Sequence, residues 1–332
     1  MHPRRSATPR ALRAALLTVF TFALCSGASA QQSDPDRRIG HTVLDESPEH
    51  YRFESFTVDS ADAQRRWRVT LGIPHRPVPA TGFPALWMLD GNAALMEFDA
   101  ALLEELAAQP EPQVLVFVGY DNDRRIDPSR TRDYTFAADS RENADTPGER
   151  RGGGANAFLE IIERRIRPEL ARRVATDPGR QTLWGHSLAG LFALHTLYTR
   201  TGAFQTYAAG SPSLWWADGA MLGDPERHFI AHGAGHPARV LLSLGGGERA
   251  RDTSHRDMSD PRVREHLRRT AAAPSDATAN LAGRLRQVPG LEVDYREFPE
   301  LTHGLTFRAS LMATLHTVAG VADRSDTRGA IR

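Results

Sequence analysis

The sequence predicts an α/β chain with a mostly parallel central sheet, helices on both faces, and antiparallel strands at its N-terminal end. Three observations carry that expectation. Short apolar runs alternate with longer amphipathic stretches of helical period, the pattern a parallel sheet covered on both faces requires. Two period-two segments precede that alternation, and Pro and Gly punctuate the chain after them. No internal repeat divides the chain, and its length suits one large domain.

The first thirty residues stand apart. Arg4, Arg5, Arg10 and Arg13 precede an apolar run over 14–24, followed by Ala28-Ser29-Ala30. This is the pattern of a secretory signal peptide with cleavage after Ala30. The run is too short for a membrane span, which needs ~20 residues, and no later segment replaces it. Cys25 follows Leu24, where a lipoprotein signal would place a small residue. Taking 30 residues from 332 leaves 302, with no cysteine among them. The mature chain is therefore expected to be soluble and held by its core, not by disulfides.

From residue 31 the elements follow in order. Residues 31–50 are polar and rich in Asp, Arg and Ser, the composition of a flexible arm. Strands are expected at 51–58, 67–73 and 84–89, then a helix at 93–108 and a strand at 114–119. A helix at 155–174 leads to a short strand at 181–184, and a helix at 188–198 to a strand at 205–209. A strand at 239–244, a helix at 260–285, a strand at 291–298 and a helix at 305–319 complete a single domain over 51–322. Residues 323–332 read as a polar tail. Two stretches fit no regular element, 121–153 and 245–259. Both follow strands, at the carboxyl edge where α/β sheets build their sites.

Four of the 41 basic residues lie in the leader and none of the 41 acidic ones does. The mature chain thus carries 37 against 41, a net charge of −4 with His neutral, which argues against nucleic acid as a partner. The sequence contains no lysine, so any anion held by side-chain cations meets planar, bidentate guanidinium groups. No cluster of metal ligands appears, and no cofactor is implied.

The chemistry is concentrated in Gly185-His186-Ser187-Leu188-Ala189-Gly190. Between the strand ending at 184 and the helix beginning at 188 only a tight turn fits, and a serine there projects from the sheet with a helix N-terminus beside it. Gly185 matches the G-x-S-x-G spacing; Ala189 departs from it, with Gly190 one residue later. Alone, such a match is also compatible with an ordinary serine at a helix start. Its context identifies Ser187 as a candidate nucleophile on an α/β-hydrolase fold.

A serine hydroxyl needs a neutral imidazole to take its proton and return it to the leaving group. His303 follows the last strand and precedes the last helix, the position this topology requires. His186 and His195 lie too near Ser187 in sequence; they read as turn packing and as helix surface or core. Glu248, directly after the strand at 239–244, is the candidate acid, ahead of Asp252 and Asp257. An ordinary solvated Glu248, or a serine–histidine dyad, remain open. The oxyanion of a tetrahedral intermediate needs two backbone donors. These are expected to be the amides of Leu188 and of Asn92, the latter in Leu89-Asp90-Gly91-Asn92, where Gly91 permits close approach.

Five stretches together resemble the putative-esterase family of α/β-hydrolases, most closely its periplasmic siderophore (enterobactin and salmochelin) esterases. They are Leu89-Asp90-Gly91-Asn92, Arg130-Thr131-Arg132-Asp133-Tyr134-Thr135, Gly185 through Phe192, Ser211-Pro212-Ser213-Leu214-Trp215-Trp216, and Thr302-His303-Gly304. The resemblance implies Ser187 and His303 as nucleophile and base. Members differ in whether an acid completes the site, so Glu248 is left open. It also implies a periplasmic enzyme whose partner is a small-molecule ester, a catecholate siderophore with or without iron. Ferric tris-catecholate is a trianion with aromatic faces, which Arg130, Arg132, Trp215 and Trp216 could meet by charge and stacking. Salt bridges pinning the loop, and tryptophans in the core, are the alternative for those four. Two other functions compete: a feruloyl, acetyl or short-acyl esterase, and a periplasmic siderophore-binding protein that keeps the fold without turnover.

Overall fold

The computed structural model describes residues 37–137, 152–249 and 258–325. The expected leader over 1–30 and its cleavage point lie outside these residues, as do Asp252 and Asp257. Eight strands form one sheet: β1 (Tyr51–Asp59), β2 (Arg66–Pro74), β3 (Phe83–Leu89), β4 (Val114–Tyr120), β5 (Thr176–His186), β6 (Thr206–Gly210), β7 (Ala238–Gly245) and β8 (Leu291–Phe298). Their order is β1-β2-β4-β3-β5-β6-β7-β8. β1 pairs antiparallel with β2 and β2 with β4; every later pairing is parallel. This is the α/β-hydrolase arrangement.

The strands explain their own places. β3 (FPALWML) and β4 (VLVFVGY) are buried at every position, as strands covered on both faces must be. β1 alternates buried and open positions and closes one edge. Because side chains alternate across a strand, β3 sends Trp87 to one face and Leu86 and Met88 to the other. Trp87 joins a core with Trp67, Phe158, Phe192 and Leu281. Leu86 and Met88 join Trp184, Leu102, Phe307 and Leu311 on the opposite face.

Twelve helices flank the sheet among the described residues. Before β5 come α1 (Gly91–Leu95), α2 (Ala100–Ala108), α3 (Arg130–Tyr134), α4 (Ala155–Ile161) and α5 (Arg167–Arg173). After it come α6 (Leu188–Thr199), α7 (Trp216–Gly219), α8 (Asp224–His232), α9 (Gly246–Arg249), α10 (Pro261–Thr270), α11 (Ala277–Leu285) and α12 (His303–Ala319).

Several of these differ from expectation for identifiable reasons. The helix expected over 93–108 is two helices, because Asp99 caps α2 by accepting from Leu102 N at 2.8 Å. A π-helical turn, Ile162–Ile166, joins α4 to α5 directly ahead of Pro168, whose ring and missing N–H disrupt an α ladder. The helix expected over 260–285 breaks before Ala277, near Pro274. α8 fills a stretch in which no element was expected. Short helices α3 and α9 occupy the two irregular stretches and carry Arg130 and Glu248.

Of the expected arm over 31–50, residues 37–50 are described. Thr42 and Asp45 form a capping box around Val43–Glu46, and Val43 is buried. A polar composition conceals a single apolar anchor of this kind.

Candidate active site

β5 ends at His186, α6 begins at Leu188, and Ser187 alone makes the turn with φ 63° and ψ −119°. A non-glycine residue held in this region carries strain that the surroundings must impose. Here Ser187 N donates to Gly210 O at 2.9 Å, while Ser187 O accepts from Leu191 N at 2.9 Å and Ser213 N at 3.1 Å. A Cβ on Gly185 would lie 2.4 Å from the backbone of Ala189 and 2.8 Å from its Cβ. Gly185 thus makes the room that Ala189 fills, which explains why the imperfect motif is tolerated.

His303 opens α12 and faces the turn. Its Nε2 lies 3.0 Å from Ser187 Oγ and its Nδ1 2.8 Å from Glu248 Oε2. Glu248 Oε1 accepts from Ser211 Oγ at 2.5 Å and from Gly245 N at 3.0 Å. Burial on its own raises the Glu248 carboxyl. The hydrogen bond and charge of His303, with Ser211 and the Gly245 amide, outweigh that and hold it below the ordinary value. The structure thus brings Glu248 within hydrogen-bond reach of His303, and His303 within reach of Ser187. Ser213 Oγ adds a contact at 3.1 Å to Ser187 Oγ.

Beneath this relay lies His186, fully buried, its ring 4.7 Å from that of His303 and 5.4 Å from that of Phe307. Burial, then the charges of His303, Arg130 and Arg125, push its pKa well below 6.5, so the ring stays neutral. His195 is buried on α6, its Nε2 2.8 Å from Asn156 Oδ1, with its ring stacked on Phe136.

The two expected oxyanion donors occupy helix first turns, where N–H groups lack intrahelical acceptors. Leu188 is the first residue of α6 and Asn92 the second of α1. Asp90 precedes α1 with φ 50°, and Gly91 lies so close to β4 that a Cβ would sit 2.6 Å from Phe117 C and Val118 N. Asn92 also uses its side chain: Nδ2 donates to the carbonyls of Tyr120, Asn122 and Arg124 at 2.9–3.2 Å, tying the loop after β4 to α1.

The expected substrate-binding residues separate into two groups. Arg130 is buried in an ion pair inside the fold. Its Nε and Nη2 donate to the two oxygens of Asp90 at 2.7 and 2.6 Å, Nη2 also reaches His186 O at 3.2 Å, and the side chain is only 9% exposed. A buried bidentate pair of this kind fixes the backbone before α1 and under the nucleophile turn. Arg132, two residues on, is exposed, with no ion-pair partner among the described residues. Trp215 and Trp216 are half-buried on the segment after β6; Trp216 N donates to Ser213 O, and Trp216 Nε1 to Phe136 O. Both follow Ser213, whose hydroxyl contacts that of Ser187.

Sequence reasoning assigned no role to Ser211 and Ser213, although their segment was singled out. Arg125, whose guanidinium lies 5.0 Å over the Phe307 ring, had no signal beyond its place in an arginine-rich loop. Among the described residues no group of three or more His, Cys, Asp and Glu side chains could hold a metal ion. No described helix is long and apolar enough to cross a membrane.

Known proteins bear out the architecture. The family model described as "Putative esterase" matches residues 60–308. The apo-salmochelin esterase of Escherichia coli O6:H1 is 30% identical over 328 residues, 96% of each chain. The ferri-bacillibactin esterase BesA of Bacillus subtilis strain 168 is 32% identical over 224 residues, 64% of this chain and 75% of its own. Among solved structures, the enterobactin and salmochelin hydrolase IroE superposes with a TM-score of 0.64 at 29% identity, covering 84% of this chain and 99% of its own. With its sheet order, its Ser187 turn and its relatives in agreement, the chain belongs to the putative-esterase family of α/β-hydrolases and is an esterase.

Proposed function

We propose that this chain is an exported serine esterase that opens the trilactone of a catecholate siderophore, with Ser187, His303 and Glu248 as its catalytic residues. The observation that carries the reading is the continuous relay from Ser187 Oγ through the His303 ring to Glu248, at 3.0 and 2.8 Å. The substrate class is supported by relatives that are named for siderophores and align over nearly the whole chain. One of them was solved in complex with DFP.

The steps follow from the geometry. His303 Nε2 takes the Ser187 proton as Oγ attacks the ester carbonyl, and the ionised Glu248 stabilises the imidazolium through Nδ1–H. The carbonyl oxygen becomes an oxyanion held by the amides of Leu188 and Asn92. Collapse breaks the C–O bond, and the imidazolium returns its proton to the departing alkoxide. A water then attacks the acyl-enzyme by the same route, releasing a carboxylic acid and restoring Ser187. Trp215 and Trp216 provide aromatic faces beside the nucleophile, and Arg132 an exposed cation, for a catecholate substrate. The Arg-rich leader ending in Ala28-Ser29-Ala30 would deliver the enzyme to the periplasm.

The test is a comparison of hydrolysis rates for ferric enterobactin, methyl ferulate and p-nitrophenyl acetate. The trilactone is expected to be the preferred substrate. Efficient ferulate cleavage with an inert trilactone would overturn the siderophore assignment, and binding of ferric enterobactin with no turnover of any ester would overturn the enzymatic one.

A further inference from the structure

The segment that enters the domain is stitched to the loop after β4. Ile39 N donates to Asp123 O at 2.8 Å, Arg125 N donates to Arg37 O at 2.9 Å, and Arg38 and Arg124 form an antiparallel bridge. From the other side Asn92 holds the carbonyls of residues 120, 122 and 124. Arg125 is therefore fixed between the chain entrance and the helix that carries an expected oxyanion donor.

Its guanidinium lies 5.0 Å over Phe307, and a run of ring contacts leads from Phe307 through His186 to the His303 ring. The side chain is 19% exposed, so it is neither core nor freely solvated. Its charge is poorly compensated. Glu97 lies 3.9 Å away, and that carboxylate also accepts from Arg308 at 3.2 Å. Asp90, farther off, is already bidentate with Arg130. Arg37 and Arg130 stand near enough to oppose the Arg125 charge, and burial with these like charges lowers its pKa. Arg37 itself is part-exposed, with no side-chain partner among the described residues. A half-sheltered cation whose one close carboxylate is shared favours an incoming anion.

We propose that Arg125 and Arg37 form an anion clamp at the rim of the Ser187–His303 site, on the Phe307 side, which selects esters bearing a polyanionic head group. The inference rests on the siderophore reading and sharpens it, because it assigns the preference to the ferric trianion over the iron-free trilactone. The entering segment then serves the site as well as the fold, since it both supplies Arg37 and pins the backbone of Arg125.

The experiment measures kcat and KM of the mature protein, Arg125→Gln, Arg37→Gln and the double variant on ferric and iron-free enterobactin, across ionic strength. Each substitution is expected to raise KM for the ferric substrate about tenfold with a small effect on kcat, and added salt to shrink the difference. The ferric-to-iron-free ratio of kcat/KM falls accordingly. Arg125→Lys, which keeps the charge but loses the flat stacking face, is expected to recover part of the loss. Equal losses on both substrates, or losses confined to kcat, would show a structural role for Arg125 and overturn the clamp. An unchanged ferric KM in an enzyme that cleaves ferric enterobactin would overturn it alone. A wild-type enzyme that hydrolyses p-nitrophenyl acetate but neither trilactone would overturn the substrate reading, and the clamp with it.

Discussion

At Ser187 the backbone is bent where an L residue seldom sits, and the bend is held by acceptors and donors from Gly210, Leu191 and Ser213. This strain has a chemical use: it lifts Oγ off the sheet toward His303. Glu248 is placed with comparable care, since Ser211 and the Gly245 amide fix one oxygen and leave the other for His303 Nδ1. Replacing that carboxylate by an amide removes the charge and offers a donor to the wrong face of the ring. Glu248→Gln is therefore expected to lower kcat by about 10²–10⁴ with little change in KM, measured by steady-state hydrolysis of p-nitrophenyl acetate. A variant within a few-fold of wild type would return the site to a serine–histidine dyad. Ser187 and His303 were legible because a motif and its order along the chain point to them. Glu248 was legible only as a candidate, since many carboxylates follow strands. For Arg130 the salt-bridge alternative could not be given a partner from the sequence, because Asp90 lies forty residues away and only the fold brings them together.

At the scale of elements, the site hangs on short helices set immediately after strands. α1 is five residues long and α9 four, too short to be stable without tertiary support. Their sequences carry no helical period, so periodicity alone merged α1 with α2 and left α9 as loop. The Asn92 side chain supports α1 by giving one amide group to three carbonyls of the following loop. Asn92→Asp keeps the shape, loses the donors and turns a carboxylate toward those carbonyls. Destabilisation of roughly 2 kcal/mol is expected by chemical denaturation, with a fall in kcat as the loop and the Asn92 amide shift. An unchanged denaturation midpoint would mean that the loop is held by other means. The large alternation of strand and helix was readable throughout, because it rests on burial along whole elements and not on single contacts.

Across the whole molecule, the parallel strands end on one edge, where β5, β6 and β7 deliver Ser187, the Ser211–Ser213 segment and Glu248 side by side. Stability should follow pH through the buried histidines. Burial lowers the pKa of His195 to about 4, and His186 shifts the same way. Well above pH 6.5 neither ring binds a proton in either state. As pH falls below 6.5 the unfolded chain gains protons that the folded chain refuses, so stability declines from there toward pH 4. His195 alone is expected to remove about 2 kcal/mol between pH 7 and pH 5, and His195→Gln to flatten that part of the curve. Denaturant midpoints across pH, unaltered by the substitution, would contradict this.

The central claim is that Ser187 performs ester hydrolysis on a siderophore trilactone. It is tested most directly by mass spectrometry of the products formed from ferric and iron-free enterobactin by the wild-type protein and by Ser187→Ala. Wild-type protein should yield a linear trimer one water heavier than the trilactone, with any further cuts giving shorter fragments whose summed mass gains one water per bond, and Ser187→Ala should slow their appearance by about 10⁴-fold or more while still binding the substrate. Undiminished product from Ser187→Ala, or an intact trilactone after prolonged incubation with an otherwise active wild-type enzyme, would contradict it.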